Sequence, residues 1–109
     1  MAYDEALAQR IREVLAMAEG ISERKMFGGI AFMVRGNMCI GVMGESIMAR
    51  VGPDQYGEML SREHVRQMDF TGKPMVGYVF VDPDGLLKEA DLAEVVAKCL
   101  AFNSTLPAK

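Results

Sequence analysis

The sequence predicts a two-layer α+β fold in which three helices pack against an antiparallel sheet of about five strands. Two observations predict this class. Apolar residues recur at helical spacing near both ends of the chain, and short apolar or alternating runs separated by glycine-containing pairs fill the middle. The expected order is one helix, three or four strands, a second helix, one or two strands, and a third helix.

The helices are predicted from apolar stripes and from residues that start or stop a helix. The first covers residues 4–19 and is closed by Gly20, the second begins at Pro53 and runs for about ten residues, and the third extends from about Glu89 to Phe102. The stripes of the first and third helices consist of Leu7, Ile11, Val14, Leu15 and Ala18, and of Leu92, Val95, Val96, Cys99 and Leu100. Each stripe is expected to face the core.

The strands are predicted from residues 24–51, which have the pattern of an antiparallel meander. The runs RKMF, IAFMVR, MCIGVM and SIMARV are separated by Gly-Gly, Gly-Asn and Gly-Glu. MVGYVFV at 75–81 predicts a further buried strand, and DPDG after it predicts a turn. Segment 64–74, HVRQMDFTGKP, predicts an irregular crossing between elements.

The register of the hairpin after Val34 decides which side chains share a sheet face. A two-residue loop would place Phe32 and Val34 on the face of Cys39 and Gly41. A three-residue loop would place them with Met38, Ile40 and Val42. In either case neither face is consistently polar, so both need cover, from helices or from another subunit, and a homodimer is predicted.

Composition predicts one cytoplasmic domain spanning residues 1–109. Half of the 109 residues are hydrophobic, which is enough for a single modest core. Two cysteines are too few for the disulfide framework of a small secreted domain, so a reduced compartment is expected. No apolar run approaches the roughly 20 residues of a membrane span, and the acidic start does not have the pattern of a signal peptide.

The stretch RKMFGG at 24–29 places a basic pair beside a glycine pair, which suggests a phosphate-binding loop. Such loops end in Gly-Lys-Ser/Thr and lead into a helix, or carry three spaced glycines in a βαβ unit. Here a strand follows, so a tight turn or bulge is favoured. Met26, Phe27, Gly28 and Gly29 are therefore predicted to be structural.

Basic residues concentrate in the middle of a chain whose net charge is −3. Residues 24–73 carry seven Lys and Arg against five Asp and Glu. Solvated edges are favoured over a nucleic-acid footprint, because no aromatic residues alternate with the cations. If these residues do form a surface for a partner or for nucleic acid, its members are Arg24, Lys25, Arg35, Arg50, Arg62, Arg66 and Lys73.

The residues that could carry chemistry are few. Cys39, His64 and Tyr78 are the candidates for a small-molecule pocket, and no local pattern of a thiol enzyme surrounds Cys39 or Cys99. A zinc site would need about four ligands. Neither a catalytic residue nor a metal or other cofactor is predicted, and an enzyme is not the favoured class.

The order of motifs resembles the TfoX N-terminal domain family. The resemblance rests on RKMFGGIAFMVRGNMCIGV at 24–42, RVGPDQYGEML at 50–60, HVRQMDFTGKPMVGYVFV at 64–81 and the closing amphipathic helix. It implies a fold similar to secretion-chaperone-like domains and a link to the bacterial regulation of competence genes. In the two-domain regulator a second domain follows, whereas this sequence ends soon after the third helix, so only a general regulatory role is implied.

Three functions are thus left to compare. The first is a homodimeric module that binds a protein partner, and it is favoured by the methionine-rich meander and by the resemblance. The second is a regulator that binds nucleic acid weakly through the central cations. The third is a protein that binds a small molecule near Cys39, His64 or Tyr78.

Overall fold

The computed structural model describes residues 3–26, 28–69 and 74–108, with the side chains at positions 26, 69 and 74 left out. Its elements follow in chain order. They are α1 (Glu5–Val14), a 3-10 turn (Leu15–Met17), β1 (Ile21–Met26), β2 (Gly29–Val34), β3 (Asn37–Met43), β4 (Ser46–Arg50), α2 (Pro53–Leu60), β5 (Val65–Asp69), β6 (Pro74–Val81), a 3-10 turn (Pro83–Leu86) and α3 (Glu89–Asn103).

The strands form one antiparallel sheet in the order β1-β2-β3-β4-β6-β5, so β1 and β5 are its edges. The α+β class with three helices is confirmed. The count of about five strands was close but low, because β5 lies in the segment predicted to be an irregular crossing. Its alternation is interrupted by a register shift between Gln67 and Asp69, and pairing with β6 holds it as a strand.

The helix boundaries follow from local chemistry. The Asp4 carboxylate accepts a hydrogen bond from the Leu7 amide at 3.1 Å and so caps α1. α1 ends earlier than predicted, at Val14, and tightens into the 3-10 turn before Gly20 adopts a positive φ of 74°. Pro53 is the first residue of α2, as predicted, after Gly52 at a φ of 86°.

The β2–β3 hairpin combines the two registers that the sequence left open. Val34 pairs with Asn37, so the loop has two residues, but the register then shifts and Phe32 pairs with Ile40. A β-bulge at Cys39 therefore places both Cys39 and Ile40 on the face of Phe32.

The main core lies between one face of the sheet and all three helices. Phe32 and Ile40 at its centre are 0 % exposed, and Ile11 of α1, Met59 of α2 and Val96 of α3 pack into the same cluster. Among the described residues, no helix is both long enough and apolar enough to cross a membrane.

Candidate interaction surface

The side of the sheet that faces away from the helices is apolar at its centre. Because side chains alternate along a strand, the residues between those of the core point to this side. Ala31, Met33 and Met48 are buried but do not belong to the main core cluster. We call this surface the methionine face; its central members are Ala31, Met33, Met38, Gly41, Met43, Met48, Tyr78 and Phe80.

Small residues form the floor of the methionine face and let methionine side chains lie flat. Gly41 pairs with Ala31 on one side and with Met48 on the other. A Cβ added to Gly41 would lie 3.0 Å from the Cε of Met48, so that side chain covers the glycine. Met48 is consequently only 2 % exposed. Met38 and Met43, in contrast, are half-buried and accessible.

Charged side chains lie around the edge of the methionine face. Arg66 of β5 stacks over Phe80, with its guanidinium carbon 5.0 Å from the ring centroid, and binds the Asp82 carboxylate at 2.7 Å. The Arg50 guanidinium at the end of β4 lies 5.3 Å from the ring of Tyr78 and 5.4 Å from that of Phe102. These contacts hold the cations against aromatic rings at the margin of the apolar area.

Several of the predicted surface cations are occupied by contacts within the chain. Arg62 binds Glu58 at 2.7 Å and Glu94 at 2.9 Å, and the Arg35 guanidinium donates to the Asn103 carbonyl at 2.9 Å. Arg24 and Lys25 are exposed on edge strand β1, and neither side chain makes a hydrogen bond or salt bridge within the part of the chain that the structure describes. Lys73 lies outside the described residues.

The sheet order separates these cations instead of gathering them. β1, with Arg24, and β5, with Arg66, are opposite edges of six strands, which corresponds to about 24 Å at about 4.8 Å per step. Arg62 lies beside α2 and α3, on the helical side. The geometry therefore places no continuous basic surface across the described part of the sheet.

The RKMFGG stretch is a strand followed by a tight connection to the next strand. Met26 pairs with Gly29, and Gly28 between them has a φ of 77°. A Cβ on Gly29 would collide with the Val42 carbonyl oxygen, so this glycine permits the close approach of β2 to β3. Phe27 and the side chain of Met26 lie outside the described residues. The glycine pair thus shapes the sheet and is followed by a strand, not by a helix N-terminus.

The three candidates for a small-molecule pocket lie in different parts of the fold. Cys39 is in the main core, Tyr78 is on the methionine face, and His64 precedes β5 with a φ of 68°. His64 lines a cavity of about 230 Å³ between α2 and α3, and neither Cys39 nor Tyr78 reaches it. The structure does not bring these residues together.

A larger groove of about 300 Å³ lies between the end of α1 and strands β1 and β2. Leu15, Ile21 and Phe32 give it an apolar lining, while Arg12 and Glu23 close its rim with a 2.8 Å ion pair. Arg12 also donates to Glu5, and this hydrogen bond holds the pKa of the Glu5 carboxyl below its usual range. Because these polar groups bind one another, they are not positioned to orient a bound molecule.

The described residues form no metal site, but they bring the two cysteines together in the core. Within the described ranges, no group of three or more His, Cys, Asp and Glu side chains is placed to hold a metal ion. Cys39 and Cys99 lie in the same buried core cluster, and each thiol alters the pKa of the other, which the sequence did not predict. Cys99 was predicted in the core from its apolar stripe, but no local pattern signals its pairing with a residue sixty positions earlier.

The fold and surface define a class of protein, namely a small α+β domain with helices on one face of an open sheet and an apolar second face. The family model of the TfoX N-terminal domain matches residues 13–103, and the chain belongs to that family. Neither a curated protein nor a solved structure matches it. The similarity to secretion-chaperone-like folds therefore stays a prediction.

Proposed function

We propose that this protein is a cytoplasmic regulatory domain that acts through protein–protein contact, with the methionine face as its contact surface and a second copy of the chain as its occupant. The observation that carries the proposal is the apolar centre of the methionine face, on which Met38 and Met43 remain accessible. Membership of the TfoX N-terminal domain family supports a regulatory role. Control of competence genes is the form of regulation that the family name suggests.

A second copy suits this surface because the accessible methionines can meet their own copies. Gly29, Ala31 and Gly41 form a buried floor, Met48 covers Gly41, and Met38 and Met43 remain accessible beside it. In a two-fold dimer the same patch meets itself, so the accessible methionines of one copy can pack against those of the other. Methionine is well suited to such contacts because its side chain adapts to irregular shapes.

The size of the face indicates how strong the association should be. Six strands about 4.8 Å apart, each contributing about five residues at about 3.3 Å, give a flat area of roughly 24 by 16 Å. This area of about 380 Å² is about half of the roughly 800 Å² that each partner buries in a stable interface, so it corresponds to a weak, transient contact. A dimer that dissociates in the micromolar range is expected.

Sedimentation equilibrium of the purified chain from about 1 to about 200 µM tests the proposal. The wild type should shift from monomer to dimer over this range. Met43→Glu should weaken the association at least about 10-fold, because it places an unpaired carboxylate in an apolar contact. Met43 is half-buried, so the variant should still fold.

Met17→Glu is the matched control, since Met17 is 94 % exposed and follows α1, away from the methionine face. It should dimerise as the wild type does. A wild-type chain that stays monomeric at the highest concentration would refute the proposal. Equal loss of association in the Met43→Glu and Met17→Glu chains would also refute it, because the loss would then not depend on the face.

Weak nucleic-acid binding is the alternative that the central cations suggest. The separation of Arg24 from Arg66, and the carboxylates that bind Arg62 and Arg66, favour the protein-contact proposal over it. A fluorescence titration with a short duplex at low and moderate salt separates the two functions. Submillimolar binding that weakens steeply with salt would support the alternative, because released counterions drive such binding.

A further inference from the structure

A β-bulge turns Cys39 from one face of the sheet to the other. Met33 pairs with Met38 and Phe32 pairs with Ile40, so Cys39 has no residue opposite it on β2. Regular alternation from Ile40 would place Cys39 on the methionine face. Instead Cys39 belongs to the core cluster on the helical side and is 1 % exposed. The bulge thus directs this thiol toward the helices.

The helix that packs over this position carries the second cysteine. α3 lies against β3 and β4, and its Cys99 is 0 % exposed within the same core cluster. The two thiols are neighbours within this cluster, since each alters the pKa of the other. Two cysteines far apart in the chain therefore meet at the contact between helix and sheet.

The surroundings of the thiols make them unequal. The hydrogen bond from Cys99 lowers the pKa of Cys39 although burial opposes this, and the charge of Arg50 acts in the same direction. Burial raises the pKa of Cys99 well above its ordinary value, although the Arg50 amide donates to its sulfur. The nucleophilic member of the pair is therefore Cys39, with Cys99 as the thiol that keeps its proton.

We infer that Cys39 and Cys99 are a redox modification site, at which hydrogen peroxide converts the two thiols into an intramolecular disulfide joining β3 to α3. The Cys39 thiolate attacks one peroxide oxygen, the O–O bond breaks, and the departing hydroxide takes a proton to become water. The resulting sulfenic acid is attacked by the sulfur of Cys99, whose proton leaves with the hydroxyl as a second water. Two thiols and one peroxide thus give one disulfide and two waters.

Hydrogen peroxide is the appropriate oxidant because the site is deeply buried. A peroxide molecule is little larger than water and can enter during a local opening of α3, whereas a bulky disulfide such as oxidised glutathione would need more of the core to open. The bond would close a loop that contains β4, α2, β5 and β6. An oxidised chain should therefore melt at least about 10 °C above the reduced one.

Peptide mass spectrometry of the native chain is the test. The protein is treated with increasing hydrogen peroxide, unfolded in the presence of an alkylating agent, and digested with trypsin. The expected product is peptide 36–50 joined to peptide 99–109, released by a reducing agent. Oxidation of Met17, which is 94 % exposed, measures the peroxide dose in the same sample.

Three outcomes would overturn the inference. Full alkylation of both cysteines at a dose that oxidises Met17 completely would show that the pair does not react. Oxidation of Cys39 without the link to Cys99, or a disulfide between two chains, would overturn it as well. The wild-type measurement needs no substitution, so it decides the question even if a cysteine variant fails to fold.

Two alanine variants test which cysteine reacts with peroxide and which one resolves the sulfenic acid. In Cys99→Ala the sulfenic acid on Cys39 should persist and react with dimedone, while in Cys39→Ala the remaining Cys99 should stay alkylatable. Circular dichroism checks that each variant keeps its fold. Equal dimedone labelling of the wild type and Cys99→Ala would contradict the resolving role of Cys99.

Discussion

The two faces of the sheet are built from alternate residues of the same strands, yet they differ in chemistry. The face toward the helices carries Ile30, Phe32, Ile40 and Val42, which are branched or aromatic and almost fully buried. The methionine face carries methionines on a floor of small residues. Branched and aromatic side chains have few rotamers and fill one fixed shape, whereas methionine adapts to several.

This difference indicates that the two faces of the sheet have different roles. The helical face needs one unique packing with α1, α2 and α3, and rigid side chains specify it. The methionine face has no fixed partner among the described elements, so a compliant surface suits a contact that forms and dissociates. The faces should therefore respond differently to mutation: changes on the helical face should reduce stability, and changes on the methionine face should mainly reduce association.

The largest expected effect is on the helical face. Phe32→Ala should lower the free energy of unfolding by about 3–5 kcal/mol, because it removes a fully buried ring and leaves a cavity. Met43→Ala on the methionine face should cost less than about 1 kcal/mol, since that side chain is only half-buried.

Urea unfolding followed by circular dichroism measures both variants at a single protein concentration, because dimerisation adds to apparent stability. Phe32→Leu is the milder control and should lie between the wild type and Phe32→Ala. Similar losses in Phe32→Ala and Met43→Ala would contradict the proposed division between the faces.

The second expected effect concerns the shape of the methionine-face floor. Gly29→Ala should lower the free energy of unfolding by about 2–3 kcal/mol, because the added Cβ would collide with the Val42 carbonyl and push β2 away from β3. Gly28→Ala should cost only about 1 kcal/mol: its φ of 77° is strained for alanine, but among the described residues no atom beyond its chain neighbours lies within 4 Å of the added Cβ.

Chemical denaturation measures the free energy of unfolding of both alanine variants. Gly29→Ala tests the close approach of β2 to β3, and Gly28→Ala tests the backbone strain of a positive φ. Gly28→Asn is the control, since asparagine tolerates a positive φ better than alanine does. If Gly28→Ala proved the more damaging of the two alanine variants, the floor of the methionine face would not depend on contact between β2 and β3.

Much of this architecture could be predicted from the sequence. The apolar stripes of α1 and α3 and the glycine-separated runs gave the element order, because period and turn chemistry are local. The strand Val65–Asp69 was missed, since Arg66 and Gln67 interrupt its apolar pattern and its pairing with β6 is a tertiary contact.

The candidate site was harder to predict than the fold. Two apolar sheet faces were expected, but the bulge at Cys39 cannot be recognised from sequence, so the faces of the β2–β3 hairpin were left open. Solvated edges were favoured for the central cations, and Arg24 and Lys25 lie exposed on edge strand β1. The salt bridges of Arg62 and Arg66 depend on distant carboxylates, which local spacing does not reveal.

The smallest expected effect is a pH dependence at the margin of the methionine face. Arg66 binds the Asp82 carboxylate and holds its pKa below the ordinary value of 3.8, with Ser46 donating a further hydrogen bond at 2.9 Å. A lowered folded-state pKa means that the folded chain binds fewer protons than the unfolded chain in this range. The stabilisation is therefore complete above the ordinary pKa and is lost as the pH falls below it.

Asp82→Asn should remove this part of the acid sensitivity, so that stability declines less between pH 5 and pH 3 than in the wild type. The side chains of Asp82 and Arg66 are 31 % and 54 % exposed, so the difference should stay under about 1 kcal/mol. Urea midpoints at several pH values measure it. The control is Asp84→Asn, an exposed aspartate that forms no salt bridge within the described residues. An equal change in both variants would show that the loss of any surface carboxylate changes the pH dependence of stability. The Arg66–Asp82 ion pair would then have no specific effect.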